Sequence, residues 1–309
     1  MVPEHELVQL DGLASDAPDV DTPRLDVLWF QVGGTICNLR CHHCFISCSP
    51  ENDSFGFMTL ETCRRYLEES RVLGVSEYYF TGGEPFANPE ICDIVEAALE
   101  LGSVTVLTNA TLMRDRALER LAELKRGSTN LLEIRVSLDG YTAEMNDPIR
   151  GEGTFDRAME GTRKLVERGF SPIMTITRTW CGKDDEVLAG FRKLLTDIGY
   201  RRPRLKILPL LKLGAEVERT GGYGDETHIT HAMMAEYDQS NLLCHNARLV
   251  TDKGVWVCPI LLDSPDARMG DSLADAIRPY PLRHAACTTC YHHGAICSNT
   301  TCDSTTTGN

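Results

Sequence analysis

From Leu25 to Leu210 the chain alternates apolar runs with helical stretches, a rhythm that confines the fold to parallel β/α units. Strands are expected over Leu25–Val32, Val75–Phe80, Ser103–Thr108, Leu131–Leu138, Phe170–Trp180 and Leu205–Leu210. Helices are expected between them over Leu60–Leu73, Pro89–Leu101, Leu112–Arg126, Phe155–Arg168 and Asp184–Ile198. Gly74, Gly102, Gly169 and Gly199 stand where helices stop, and Asn88 and Thr154 stand where two of them start. Counting units does not separate an open six-unit barrel from a complete eight-unit barrel or a doubly wound sheet. In each of these folds the chemistry sits at the C-terminal rim of the strands.

The 309 residues can bury a large core, and 42% apolar with 25% charged residues is ordinary for a soluble protein. A formal charge of −14 argues against a nucleic-acid partner, whose phosphates require a basic surface. No apolar run reaches the length of a membrane span and no secretory pattern opens the chain, so no membrane role and a cytoplasmic location are expected. Residues 1–23, acidic and dotted with Pro18 and Pro23, read as a loose leader before a barrel over 24–220. Residues 221–309 form a small Cys-rich extension. The chain holds 13 cysteines that bunch into groups, which in a reducing compartment points to metal rather than disulfides.

Cys37, Cys41 and Cys44 follow the first expected strand with C-x3-C-x2-C spacing. One tight loop thus supplies three thiolates, and a four-iron cubane held by three leaves one iron without a protein donor. Structural zinc is the alternative, with His42 or His43 as fourth donor, but adjacent His without a second C-x2-C nearby suit a tetrahedral site poorly. Thr81-Gly82-Gly83-Glu84-Pro85 ends the second strand at the same rim. Together the two motifs resemble the radical S-adenosylmethionine (SAM) superfamily, and the six units resemble its open, TIM-like (β/α)6 partial barrel.

The resemblance implies a [4Fe–4S] cluster on Cys37, Cys41 and Cys44 whose open iron binds SAM. It implies reductive cleavage of SAM to a 5′-deoxyadenosyl radical that abstracts a substrate hydrogen atom, fed by a flavodoxin- or ferredoxin-type donor. Gly82 and Gly83 allow close backbone approach to the methionine amino group, with Glu84 helping to accept it. Ser137 and Asp139, two residues apart, match the segment that holds the ribose. Arg150 matches an arginine that pairs with the SAM carboxylate, and an exposed ion pair is its alternative. Asn109 ends the third strand where relatives carry Thr-Asn-Gly, but Ala110 replaces the glycine. His43 and Phe45 flank the last ligand, the ring before it lying near the adenine.

Cys244, Gly254 and Cys258 followed by Cys287-x2-Cys290 resemble the SPASM/twitch extensions that carry auxiliary clusters. Cys297 and Cys302 depart from the longer pattern by one residue each, and six thiolates cannot supply eight ligands. One auxiliary [4Fe–4S] cluster is therefore expected on Cys244, Cys258, Cys287 and Cys290. Cys297 and Cys302 are substitutes or an incomplete second set, and a four-Cys zinc knot is the alternative. Cys63 and Cys92 fall inside helices and read as small buried hydrophobes, and Cys48 lies outside the motif. Cys181, at the end of the fifth strand, is the one catalytic candidate, as a hydrogen-atom donor or relay, with packing as its alternative.

The substrate is expected to be a peptide undergoing maturation or a small molecule undergoing oxidation or rearrangement. Rival readings are a molybdopterin-precursor-like cyclase and a non-enzymatic iron–sulfur carrier or scaffold. The second would leave Gly82, Gly83, Glu84, Ser137 and Arg150 without a role.

Overall fold

A computed structural model describes residues 16–180, 182–224 and 227–299. Cys181 and Cys302 lie outside the described residues. The short strand β1 (Asp19–Val20) precedes β2 (Val27–Phe30), β3 (Glu77–Phe80) and β4 (Ser103–Thr108). Next come β5 (Leu132–Ser137), β6 (Ile173–Thr177) and β7 (Arg204–Leu208). The strands β2 to β7 pair in parallel in chain order, the arrangement of an open (β/α)6 barrel.

Helices α1 (Leu60–Leu73), α2 (Ile91–Leu99), α3 (Asp115–Gly127), α4 (Ala143–Arg150), α5 (Thr154–Glu167) and α6 (Asp184–Asp197) fill the connections. Thr59 caps α1 by accepting from Thr62 N–H, and Gly74 ends it in the left-handed conformation. Among these helices α4 was not expected, because Pro148 interrupts its pattern. The start of α5 also differs: Asp147, rather than Thr154, accepts from Gly153 N–H (2.8 Å) and Phe155 N–H (2.8 Å). No helix among the described residues is long and apolar enough to cross a membrane.

The Cys-rich extension continues the same sheet. Strand β8 (Ala247–Thr251) pairs in parallel with β2, and β9 (Gly254–Trp256) returns antiparallel to it. Strand β10 (Arg268–Gly270) closes that edge, giving the order β10-β9-β8-β2-β3-β4-β5-β6-β7. Residues 16–23 are not loose: β1 pairs with β11 (Tyr280–Pro281), and Val20 is fully buried. Its strand partner belongs to the extension, a pairing no local pattern announces.

The inner face of the barrel carries an unusual polar row. Trp29, Tyr79, Thr105 and Glu133 are register partners across β2 to β5. The segment after the helix Cys287–His293 enters against this row. Asn299 donates from its N–H to Tyr79 Oη (3.1 Å), and from Nδ2 to Thr105 Oγ1 (2.7 Å) and Glu133 Oε2 (2.9 Å). Arg135 Nη1 donates to the Cys297 carbonyl (2.5 Å), and Lys206 donates to that of Ser298.

Candidate functional site

The turn after β2 carries Cys37, Cys41 and Cys44 to the C-terminal rim, where all three line one cavity of about 210 Å3. Gly82, Gly83, Thr108, Asn109, Ser137 and Arg150 line it too. The glycines are dictated by contact as well as by chain direction. A Cβ on Gly83 would stand 2.1 Å from the Ile36 carbonyl oxygen and 2.8 Å from Cys37 N. At Gly82, with φ +143°, a Cβ would meet the Gly33 backbone at 2.6 Å. Strand β3 can therefore run against the cysteine loop only with glycine at both positions.

Each of the three sulfurs faces a nitrogen donor. Leu39 N–H points at Cys37 Sγ (3.4 Å) and Cys48 N–H at Cys44 Sγ (3.2 Å). Asn109 Nδ2 lies 3.8 Å from Cys37 Sγ, and Arg150 Nη1 lies 3.9 Å from Cys41 Sγ. Such donors stabilise thiolate, the form that binds iron, so the loop suits a thiolate-held cluster. Burial still raises Cys37 to about 12 and Cys41 to about 11 in the protein alone, the latter against the pull of Arg150. Cys44 is instead lowered to about 6, chiefly by a hydrogen bond from the Cys48 thiol.

Asp139 lies beyond the last residue of β5, so strand alternation no longer sets its direction. Its carboxylate is fully buried between His43 Nε2 and Arg150 Nε, each 2.6 Å from Oδ2, while Thr177 N–H donates to Oδ1 (2.8 Å). Burial alone would raise this carboxyl, but Arg150 and His43 together hold it well below the usual carboxylate range. Asp139 is thus engaged within the protein and does not line the cavity, whereas Ser137 does. Arg150 is buried against this partner, which removes the exposed ion pair from consideration.

Glu84 is likewise turned inward. It accepts from Phe86 N–H (3.0 Å), Thr108 Oγ1 (2.7 Å) and Asn109 N–H (2.8 Å), bracing the turn against β4. Burial holds its carboxyl above the usual range. Ala110 keeps the left-handed backbone, φ +59°, that a glycine would adopt freely at this position. It is retained because Ala110 N–H is held by Thr108 Oγ1 (2.9 Å).

Cys244, Cys258, Cys287 and Cys290 surround a second cavity, about 30 Å3 and otherwise apolar, with Leu242, Ile260 and Leu282 on its walls. Burial raises all four thiols. Four cysteines around one water-poor cavity match the donor set of an iron–sulfur cluster, whereas among the described residues no group of three or more His, Cys, Asp or Glu is placed to hold a single metal ion. Cys297 is not on that wall; it lines the first cavity. Cys63 is fully buried in α1, with burial pushing its thiol up, as a packing residue would be.

Trp29, Arg135, Thr175 and Cys48 also line the first cavity and were not expected there. Arg135 had a signal: with Glu133 and Ser137 it makes one alternating face of LEIRVS polar, where a strand of a parallel sheet buried on both faces would be apolar.

The family model of the radical SAM superfamily matches residues 32–195. Mycofactocin maturase MftC of Mycobacterium tuberculosis is 33% identical over 154 residues, 48% of this chain and 38% of that one. The antilisterial bacteriocin subtilosin biosynthesis protein AlbA of Bacillus subtilis is 33% identical over 136 residues, 43% of this chain and 29% of its own. The chain thus spans well under half the length of these relatives. In fold it resembles Streptococcus suis SuiB bound to S-adenosylmethionine, with a TM-score of 0.63 at 17% identity, covering 84% of this chain and 67% of that one. SuiB has also been solved bound to its precursor peptide SuiA, with the same TM-score.

Proposed function

Because the chain belongs to the radical SAM superfamily, of the SPASM/twitch type, we propose that it cleaves SAM reductively and abstracts a hydrogen atom from a peptide. The observation that carries this is the convergence of Cys37, Cys41 and Cys44 on one cavity with Gly82, Gly83, Asn109, Ser137 and Arg150. When bound there, a three-thiolate [4Fe–4S] cluster supplies the electron that breaks the carbon–sulfur bond of SAM.

The residues divide the remaining work. Gly82 and Gly83, packed against the cysteine loop, present their backbone on the cavity wall to the methionine end of SAM, and Ser137 offers its hydroxyl to the ribose. Asn109 and Arg150 donate toward cluster sulfurs. Asp139 acts as a positioning residue that orients His43 and Arg150, and Glu84 fixes the glycine turn. The wall of Leu208, Pro209, Leu211 and Pro259 keeps water from the reacting atoms.

The peptide class draws on relatives named as a maturase and a bacteriocin biosynthesis protein, and on the fold neighbour solved with a precursor peptide. Cys244, Cys258, Cys287 and Cys290 would hold one auxiliary cluster, and a flavodoxin- or ferredoxin-type protein would deliver the electron. The division into a barrel over 24–220 and an extension over 221–309 is retained as a proposal about function, since the sheet itself is continuous.

Protein reconstituted and reduced without oxygen should release 5′-deoxyadenosine from SAM. Intact clusters with no such product would overturn the reading.

A further inference from the structure

Deep in the SAM cavity, two β5 residues below Ser137 on the same face, stands Arg135, only 1% exposed. Its Nε donates to Thr175 Oγ1 (3.2 Å) and its Nη1 to the Cys297 carbonyl. Among the described residues no carboxylate lies within ion-pair distance of it. The other buried arginine of the cavity, Arg150, has Asp139 against it at 2.6 Å. Glu133, two residues along the same strand as Arg135, attracts it from beyond pairing distance but is engaged by Arg204 and Asn299, so the buried guanidinium has only neutral hydrogen-bond partners. Trp29, also 1% exposed, lines the same cavity, and its indole N–H has no hydrogen-bond partner. Its ring is fixed by stacking on Tyr79, centroids 4.3 Å apart and 15° from parallel.

We propose that Arg135 and Trp29 form an anion-recognition site at the inner end of the cavity, which takes a carboxylate of the substrate. This rests on the reading of the cavity as the site of a SAM-dependent reaction, and names the chemistry of what enters it. A planar guanidinium and an indole N–H, both desolvated and both held by neighbours, match a carboxylate better than a neutral amide. An amide would leave the positive charge unpaired. The carboxylate belongs either to an acidic side chain or to the end of a peptide. In both cases it would tether the substrate beneath the position of SAM, with the Cys297–Asn299 segment as the floor.

Three probes separate these sources: N-acetylglutamate α-methylamide, N-acetylglutamine α-methylamide, and N-acetylglutamine with a free α-carboxylate. Each is titrated calorimetrically into the anaerobically reconstituted protein with SAM present. At least one acid should bind about tenfold or more tightly than the neutral amide, and which acid does so identifies the source. R135Q should abolish the preference and R135K should keep it. Where R135Q does not fold, W29F should weaken the preferred acid several-fold. The proposal is overturned if neither acid outbinds the neutral probe up to about 10 mM. It also fails if R135Q retains the preference, or if W29F leaves the acid's affinity unchanged. Release of 5′-deoxyadenosine by the parent protein, measured in parallel without probe, reports on the underlying reaction separately.

Discussion

Asp139 and Arg150 meet at 2.6 Å in a buried pair, and the far end of the same guanidinium reaches to 3.9 Å from Cys41 Sγ. One carboxylate thereby sets the position of a donor to a cluster sulfur, with His43 on its other side.

Removing one partner of a buried pair leaves the other charge unpaired. D139A should therefore cost about 3–5 kcal/mol of stability. Urea titration of the anaerobic holoprotein checks this, and a loss below 1 kcal/mol, by order of magnitude, would contradict the buried pairing.

Acid should expose the same group. The Asp139 carboxyl is lower in the folded chain than its unfolded value of about 3.9, so its contribution is complete above that value. It is lost as pH falls from about 4 toward the folded value. D139N, which does not titrate, should show a flatter acid limb of stability between about pH 5 and pH 3 than the parent.

Gly83→Ala would place a methyl 2.1 Å from the Ile36 carbonyl oxygen, which can be relieved only by moving the cysteine loop. The variant should lose about four irons per chain while keeping its auxiliary centre. Full iron with normal SAM perturbation of the cluster spectrum would show that the loop is not so confined.

Iron counting also separates the C-terminal thiols. C290S should lose about four irons, because Cys290 lines the four-sulfur cavity, whereas C297S should keep the parent's content. Replacing Cys37, Cys41 and Cys44 together should leave about four. Stoichiometric zinc in place of that remainder would favour a structural knot.

Arg248, fully buried, donates to the carbonyls of Cys244 (2.6 Å), Ala247 (2.7 Å), Ala276 (2.9 Å) and Arg278 (3.1 Å). It also donates to Thr22, tying the early chain to the auxiliary site. Burial lowers its pKa to about 10. R248M should leave several carbonyls unsatisfied, at about 1–3 kcal/mol each. It should release auxiliary iron in chelator challenge faster than the parent.

The sequence alone determined the parallel β/α order, most helix ends and the cluster loop. Helical and strand periodicities, glycine stops and C-x3-C-x2-C spacing are local properties that neighbouring residues express by themselves. The grouping of Cys244, Cys258, Cys287 and Cys290 was also legible, through motif spacing. Tertiary structure decided where side chains near the rim turned. Asp139 and Glu84 turn their carboxyl groups into the protein because Arg150, His43, Thr108 and the Asn109 N–H come from elements distant in sequence. The same holds for the pairing of Val20 with Tyr280 of β11, for the parallel pairing of β8 with β2, and for the Cys297–Asn299 segment inside the barrel. Each of these depends on long-range closure, and a buried polar group shows its partner only once the chain has brought the two together.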